Sequence, residues 1–532
     1  GLALLVAGRA GWVQVVHADT LATASSLSEQ ADGGYRYEYN PRLVAAARHL
    51  ERGTIFDRNG LVLATSRASE IAGVDAAYKQ AGVSRIGACD GDVTRCYPLG
   101  GAAFSVIGDW AGQTNWAARN SSYLERDRDT RLKGFDDRQR VVEIVNPRTG
   151  RTERTIKRDY QALLPLVRHG ADSSRADVML LLGRDRDLHA TIDARLQQRV
   201  ARVLRDGIER GTHTRGAAVV LDVDSGEVLA SVSYPWPTSL EGTATAASAD
   251  AADPLLDRVR YGLYPPGSTF KLLVAAAALR TRPDLQGETF ACERLADGRV
   301  GQHVRGWSRP VRDDLKDTSP HGQVDLRHGL VVSCNAYFAQ LAMRLGPGPI
   351  LDAASLLQIE AAHPNTAASL RGSLAHAGYG QGEVLASPLE MARLAATIAG
   401  DGTVQPVQWT VPSSANAATG VAESPRLLSG AAASQLSRYM REAVTDGTGR
   451  TLSANQTPIA GKTGTAEVDG GRAHSWFVGF APAGGTRRMA FAVIVENAGY
   501  GARSAGPVAG AIVDAARELG LFETQAGDKE RR

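Results

Sequence analysis

The sequence predicts an α+β fold: a C-terminal domain with helices flanking a central antiparallel sheet, preceded by an extended, β-rich N-terminal domain. Three observations carry this. Two β-rich apolar runs, 217–223 and 227–232, flank the turn Asp224-Ser225-Gly226, as in a hairpin. A second strand pair, 475–480 and 489–496, lies far downstream with several helical stretches between the two. Residues 53–186 are polar and arginine-rich, broken by short apolar runs at 60–64 and 141–145, which suits short strands and extended connections better than long helices.

Taken in order, the chain opens on an apolar run, 1–7, that stops before Arg9, far short of the roughly 20 residues that span a bilayer. Residues 1–20 read either as the outer end of a membrane anchor, the favoured expectation, or as the start of a soluble helix, and because the first methionine is Met179, an upstream segment is expected too. At 532 residues the chain needs more than one core. The texture changes at His189-Ala190-Thr191-Ile192-Asp193, which sets domains at 21–188 and 189–522, with a disordered tail at 523–532. Residues 196–210 read as a helix leading into the hairpin. Ser387, Pro388 and Glu390 form a helix start with a capping box, and Gly400 marks its end. A last apolar helix covers 508–519. Segments 238–253 and 412–425, rich in small and polar residues, are expected to be surface loops.

Composition excludes some functions. The formal charge of +3 is small, and no basic run is interleaved with aromatics, so nucleic acid is not an expected partner. No HExxH, CxxC or histidine cluster occurs among the eleven histidines, so neither a catalytic metal nor a cofactor is expected. Cys89 and Cys96 flank a short Asp/Gly loop and read equally as a disulfide or as two thiols, while Cys292 and Cys334 lie far apart in sequence.

Chemistry is announced by lysine. The chain has only seven lysines against 53 arginines, and two of the seven stand in Ser268-Thr269-Phe270-Lys271 and Lys462-Thr463-Gly464-Thr465. Such a chain keeps lysine where a permanently charged guanidinium cannot serve, for instance as a neutral amine that accepts a proton. Pro265-Pro266-Gly267 stops regular structure, and Ser268 opens an apolar helical run, so Ser268 and Lys271 share one helix face. A lysine desolvated at a helix start loses its proton more easily and could activate the serine. Lys462 to Thr465 read as a strand: Lys462 supplies charge without titrating, the threonine hydroxyls face a carboxylate, and Gly464 admits a substrate backbone. Ser-x-Asn occurs at Ser333-Cys334-Asn335, Ser414-Ala415-Asn416 and Ser453-Ala454-Asn455. Only the first sits at an interruption between apolar segments, where an active site could be built.

In that order, Ser268-Thr269-Phe270-Lys271, Ser333-Cys334-Asn335 and Lys462-Thr463-Gly464 resemble the three motifs of the penicillin-recognising serine transferases and hydrolases. The resemblance extends outward. Residues 52–60, Arg52-Gly53-Thr54-Ile55-Phe56-Asp57-Arg58-Asn59-Gly60, look like the opening of the N-terminal pedestal domain of class B penicillin-binding proteins. Tyr264-Pro265-Pro266-Gly267-Ser268 and Gly378-Tyr379-Gly380-Gln381-Gly382 look like class B flanking sequence.

The resemblance implies a peptidoglycan D,D-transpeptidase, inhibited by β-lactams. In it Ser268 is acylated by a D-Ala-D-Ala stem peptide, Lys271 takes its proton and Ser333 relays protons. Asn335 holds the substrate amide, Lys462, Thr463 and Thr465 bind the carboxylate beside Gly464, and the N–H groups of Ser268 and Thr465 form an oxyanion hole. It also implies anchorage in a bacterial inner membrane, an extracytoplasmic catalytic domain and a membrane glycan polymerase as partner. A β-lactam sensor or scaffold, and a carboxypeptidase or β-lactamase type of hydrolase, are the alternatives. The long segment before residue 189 speaks against a plain β-lactamase.

Overall fold

A computed structural model describes residues 17–90, 93–172, 174–238, 253–412 and 424–522, together with Arg9 and Trp12. Most of the anchor segment expected at 1–20, the bulk of the two expected loops (239–252 and 413–423) and the tail at 523–532 lie outside the described residues. Among the described residues no helix is long and apolar enough to cross a membrane.

The chain enters the sheet domain through α1 (Ala194–Arg210), capped by Asp193, whose carboxylate accepts from the N–H groups of Arg195 and Leu196. The hairpin β1 (Gly216–Asp222) and β2 (Val228–Tyr234) follows. Then come the helices α2 (Lys271–Thr281), α3 (Asn335–Leu345), α4 (Pro388–Ala399) and α5 (Gly430–Thr445). The strands β3 (Ala460–Ala466), β4 (His474–Ala481) and β5 (Met489–Val495) and the helix α6 (Ala505–Glu518) complete the domain. The sheet runs β3-β4-β5-β1-β2 and every pair is antiparallel, so the hairpin at the start of the domain closes against the last strand. The capping box at Ser387 and Glu390 is formed as the sequence signals.

Both sheet faces are covered. Ala218 and Val220 of β1 pack with Leu196, Val200 and Leu204 of α1 and Val508 and Ile512 of α6. Ala217, Val219 and Leu221 of the same strand join a second core with Leu272, Leu273 and Val274 of α2 and Met391 and Leu394 of α4. This is why the strands read as continuous apolar runs and not as polar-apolar alternation. Helix α2 is buried from Lys271 through Leu279, surrounded by protein on all sides.

Before residue 189 the strands are short: Ile55–Phe56 pairs antiparallel with Val62–Ala64 and parallel with Leu188–His189, and Arg140–Val145 pairs with Thr152–Lys157. A 13-residue helix, Ala68–Gln80, enters the region whose texture suggested strands and connections. Val74 and Tyr78, one turn apart, bury its inner face, and tertiary burial outweighs a weak local pattern. Cys89 and Cys96 are joined as a disulfide, settling the alternative left open by the sequence. The joint with the sheet domain is polar and specific. Buried Asp57 accepts from the N–H groups of Asn59 (2.7 Å), Leu61 (2.8 Å) and Ala194 (3.0 Å), and Asn59 Nδ2 donates to Asp193 (3.0 Å).

Candidate active site

Pro265-Pro266-Gly267 turns the chain into a single 3-10 turn, Gly267–Phe270, that continues directly as α2. Ser268 is therefore presented half-buried at the mouth of a helix that descends into the core, with Lys271 as its first α-helical residue. The turn is tied down from outside: Trp476 Nε1 donates to Pro265 O (3.0 Å), and Gly267 N donates to Gly380 O (2.9 Å) within the 378–382 segment singled out in the sequence.

Ser333 occupies the break between the helix Leu326–Val331 and α3. Its φ of 64° is a left-handed backbone that a β-carbon disfavours, a cost of order 1–3 kcal/mol that the surrounding structure holds in place. Asn335 opens α3. Asp313, buried beneath it, accepts from the backbone N–H groups of Asn335 and Ala336 (3.1 Å for the latter), and Asn335 Nδ2 donates to Arg312 O (3.1 Å). Thus Asn335 Oδ1 is left facing the cleft.

Lys271 Nζ is the hub. It lies 3.0 Å from Ser268 Oγ, 2.5 Å from Ser333 O, 3.1 Å from Ser333 Oγ and 2.7 Å from Asn335 Oδ1. The carbonyl of Ser333 and the amide oxygen of Asn335 can only accept, so two N–H bonds are committed to them. The third position faces two hydroxyls: a charged Lys271 donates there, and a neutral one accepts a hydroxyl proton there. The balance is set by burial, which pushes the amine down to about 8 against the pull of the Asp313 carboxylate.

Lys462, on the edge strand β3, reaches the same serine from the other side. Its Nζ is 2.9 Å from Ser333 Oγ and 3.1 Å from Thr463 O. The sequence reading had this lysine charged without titrating. Instead it is fully buried, and burial together with the neighbouring Lys271 pushes its amine well below the ordinary lysine value. A carboxylate placed against it would reverse that push. Gly464 also differs from expectation. A β-carbon there would lie 2.8 Å from Thr269 Cγ2, 3.0 Å from Pro266 O and 3.0 Å from Trp476 Cβ, so the close approach it permits is that of the Ser268 turn itself. Thr463 is buried and Thr465 half-buried on the same strand. One cleft therefore gathers Ser268, Lys271, Ser333, Asn335 and Lys462, with the threonine-bearing strand edge beside it. Of the other two Ser-x-Asn tripeptides, Ser414-Ala415-Asn416 falls outside the described residues, and Asn455 Nδ2 bonds Gly510 O (3.3 Å) beneath α6.

Residues 216–514 match the penicillin binding protein transpeptidase domain. The chain belongs to that family. It is 31% identical over 369 residues to the peptidoglycan D,D-transpeptidase PbpA of Mycolicibacterium smegmatis, covering 62% of this chain and 73% of the relative. It is 28% identical over 481 residues to the peptidoglycan D,D-transpeptidase MrdA of Acinetobacter baumannii, covering 78% and 64%. The crystal structure of Mycobacterium tuberculosis PBPA superposes with a TM-score of 0.62 at 26% identity, over 88% of this chain and 99% of that one. The ceftriaxone acyl-enzyme complex of the same mycobacterial protein superposes with a TM-score of 0.62 at 25% identity, over 89% and 99%. The match runs well beyond the transpeptidase domain, so the N-terminal region shares the class B type of architecture.

Two features of this transpeptidase domain escaped the sequence reading. Thr448 Oγ1, in the loop between α5 and β3, lies 2.7 Å from Thr463 Oγ1 and 3.5 Å from Lys462 Nζ. Directly behind Ser333-Cys334-Asn335, one ligand atom from each of Cys292, Asp313, His321 and Cys334 lies within 4.8 Å of the others. Two thiols, an imidazole and a carboxylate so placed, three of the four residues buried, could hold a metal ion, and soft sulfur with imidazole is a donor set that suits zinc. No motif search finds it, because the donors come from a strand, a loop and a helix cap, with Cys292 and Cys334 42 positions apart in sequence.

Proposed function

We propose that Ser268 is the acylated nucleophile of a peptidoglycan D,D-transpeptidase, with Lys271 as its base. The carrying observation is the buried Lys271 amine, held by two pure acceptors and turned toward Ser268 Oγ at 3.0 Å. In the proposed sequence Ser268 Oγ attacks the carbonyl between the two D-alanines of a stem peptide while its proton passes to Lys271 Nζ. The N–H groups of Ser268 and Thr465 receive the developing oxyanion. Ser333 Oγ, bonded to both lysines, hands its proton to the departing D-alanine amine and takes the Ser268 proton back from Lys271 Nζ. The free carboxylate sits on Lys462, Thr463 and Thr465, and Asn335 Nδ2 and Oδ1 divide between the substrate amide and Lys271. An amine from a second stem peptide then takes the acyl group from Ser268, and the ester bond is exchanged for the cross-linking amide.

A β-lactam has the same carbonyl and carboxylate and is attacked in the same way. The disulfide between Cys89 and Cys96 supports an oxidising, extracytoplasmic location for this chemistry. A membrane-bound glycan polymerase is the partner proposed with it, on the family resemblance alone. The test is covalent labelling: a fluorescent penicillin should attach to the native protein at Ser268 and not to a Ser268→Ala variant. Labelling of the variant at the native rate would remove the proposal. Release of D-alanine with formation of a cross-linked dimer is the expected product pattern, and trimmed monomer alone would mean a hydrolase.

A further inference from the structure

Strand β3 is the edge of its sheet: β4 pairs along one side, and among the described residues no strand lies along the other. Such an edge offers free backbone N–H and C=O groups to an extended peptide, which adds to the sheet as one more strand. The proposed reaction sets the register of that peptide. With its carboxylate at Lys462 and Thr463 and its reacting carbonyl on the N–H of Thr465, the stem peptide runs antiparallel to β3. The residue that precedes the two D-alanines then falls opposite Ala466, the last residue of the strand. The next side chain of the protein is Glu467.

Glu467 is exposed, where Thr465 is half-buried and Thr463 buried, so the groove opens toward it. Tyr379 shows which way it faces. That residue adjoins Gly380, whose carbonyl holds Gly267 N at the Ser268 turn (2.9 Å). Burial lifts the Tyr379 phenol above its ordinary value, and the carboxylates of Glu467 and Asp313 lift it further. Asp313 lies beneath Asn335, so a carboxylate felt together with it beside the Ser268 turn stands at the end of the cleft. Among the described residues no lysine, arginine or histidine forms an ion pair with Glu467. Its charge is available to a cation that the substrate brings.

The chemistry supplies that cation. Cross-linking hands the acyl group to an amine of a second stem peptide, and donor and acceptor stems are copies of one repeat. Each donor therefore carries an amine of its own, upstream of its D-alanine pair. On a long side chain opposite Ala466, that amine has one residue step, about 3.3 Å, to span before it meets Glu467.

We infer that Glu467 is a specificity-determining residue for the donor strand, its carboxylate receiving the side-chain ammonium of the residue that precedes the D-alanine pair. This rests on the reading of the cleft as a D,D-transpeptidase site. A stem whose amine has already been acylated, as in an existing cross-link, has lost the charge and is a poorer donor. A solvated carboxylate that only keeps the β3–β4 turn in water is the competing account.

The experiment measures D-alanine release, as kcat/KM, from Nα-acetyl-L-lysyl-D-alanyl-D-alanine and from the same peptide acetylated at the lysine side chain. The native protein should prefer the charged peptide about fivefold, the effect of one partly screened ion pair, and the preference should shrink toward 1 M salt. Glu467→Gln should remove that preference by lowering the rate on the charged peptide alone, and Glu467→Lys should reverse it. Melting temperatures within a degree or two of native establish that both variants are folded. Equal rates on the two peptides with the native protein, or an equal penalty on both in Glu467→Gln, overturn the inference and leave the transpeptidase reading intact. A native protein that releases D-alanine from neither peptide overturns both.

Discussion

Lys271 has two states within reach near neutral pH, and that sets how the enzyme should respond to pH. With Lys271 proposed as the base for Ser268, the rate of acylation should rise about tenfold per unit at low pH and level off above about 8. Stopped-flow acylation across that range measures it, and a flat profile would contradict Lys271 as base. The same group affects stability with a defined sign. Folded Lys271 sits near 8 and the unfolded residue near its ordinary 10.5, so between those values the unfolded chain binds the extra proton and stability rises with pH. Below about 8 the contribution is a constant penalty. Lys271→Arg should lower acylation by about 10²–10⁴-fold, because a guanidinium does not give up its proton in this range. The scarcity of lysine pointed to these two positions. What composition could not convey is that Lys462 would be as buried as Lys271 and would share its serine.

Single elements place these groups, and two of them invite direct tests. Edge strand β3 lies against the Ser268 turn across a gap that only Gly464 permits. Gly464→Ala would drive a methyl group into Thr269, Pro266 O and Trp476. The expected cost is about 1–3 kcal/mol of stability, with a larger loss in acylation than in melting temperature, since the turn carrying Ser268 must move. Equal acylation by the variant would place the turn elsewhere. The helix α3 is held at its start by Asp313, which also faces Cys292, His321 and Cys334. Native mass spectrometry should find one zinc per chain, lost with stability in Cys292→Ser, and chelation should slow acylation by freeing the segment that carries Asn335. Metal-free protein with full activity would reduce the cluster to buried thiols. Legibility at this scale was uneven. The hairpin and the box at Ser387 follow from turn and capping chemistry that is local in sequence, whereas the helix Ala68–Gln80 has no side-chain cap to announce it.

Across the molecule, the core that joins the sheet to α2 and α4 does not stop at residue 189. Ile55, Leu63, Val74 and Cys96 share it with the sheet domain, while Leu43, Phe135, Leu163, Leu164 and Leu181 form a small core of their own. The segment 52–60 is the splice between them. Its Arg52 is anchored by Glu125 (2.7 Å) and Asp129 (2.6 Å), and Arg95 also pairs with Glu125, all three side chains of the Arg52–Glu125–Arg95 triad being at most 4% exposed. Glu125→Ala leaves two buried guanidiniums without that partner, for an expected loss of about 3–5 kcal/mol in a thermal or denaturant melt. Penicillin acylation per folded molecule should change little, because the groups bonded to Arg52 and Arg95 include no cleft residue; a loss of acylation without a loss of stability would contradict that separation.

By itself the sequence determined the chemical vocabulary: which serine, which lysines, which strand and hairpin, and the order of the three motifs. These are written in short runs, where spacing along one helix or strand fixes which side chains share a face. The tertiary structure alone decided how they meet. It put Ser333 between two buried amines, pressed Gly464 onto the Ser268 turn, brought Thr448 to Thr463, and gathered Cys292, Asp313, His321 and Cys334 into one knot. Each of those contacts joins different segments through packing, and burial, which sets the charge state of both lysines, is a property of the assembled core that no local stretch of residues contains.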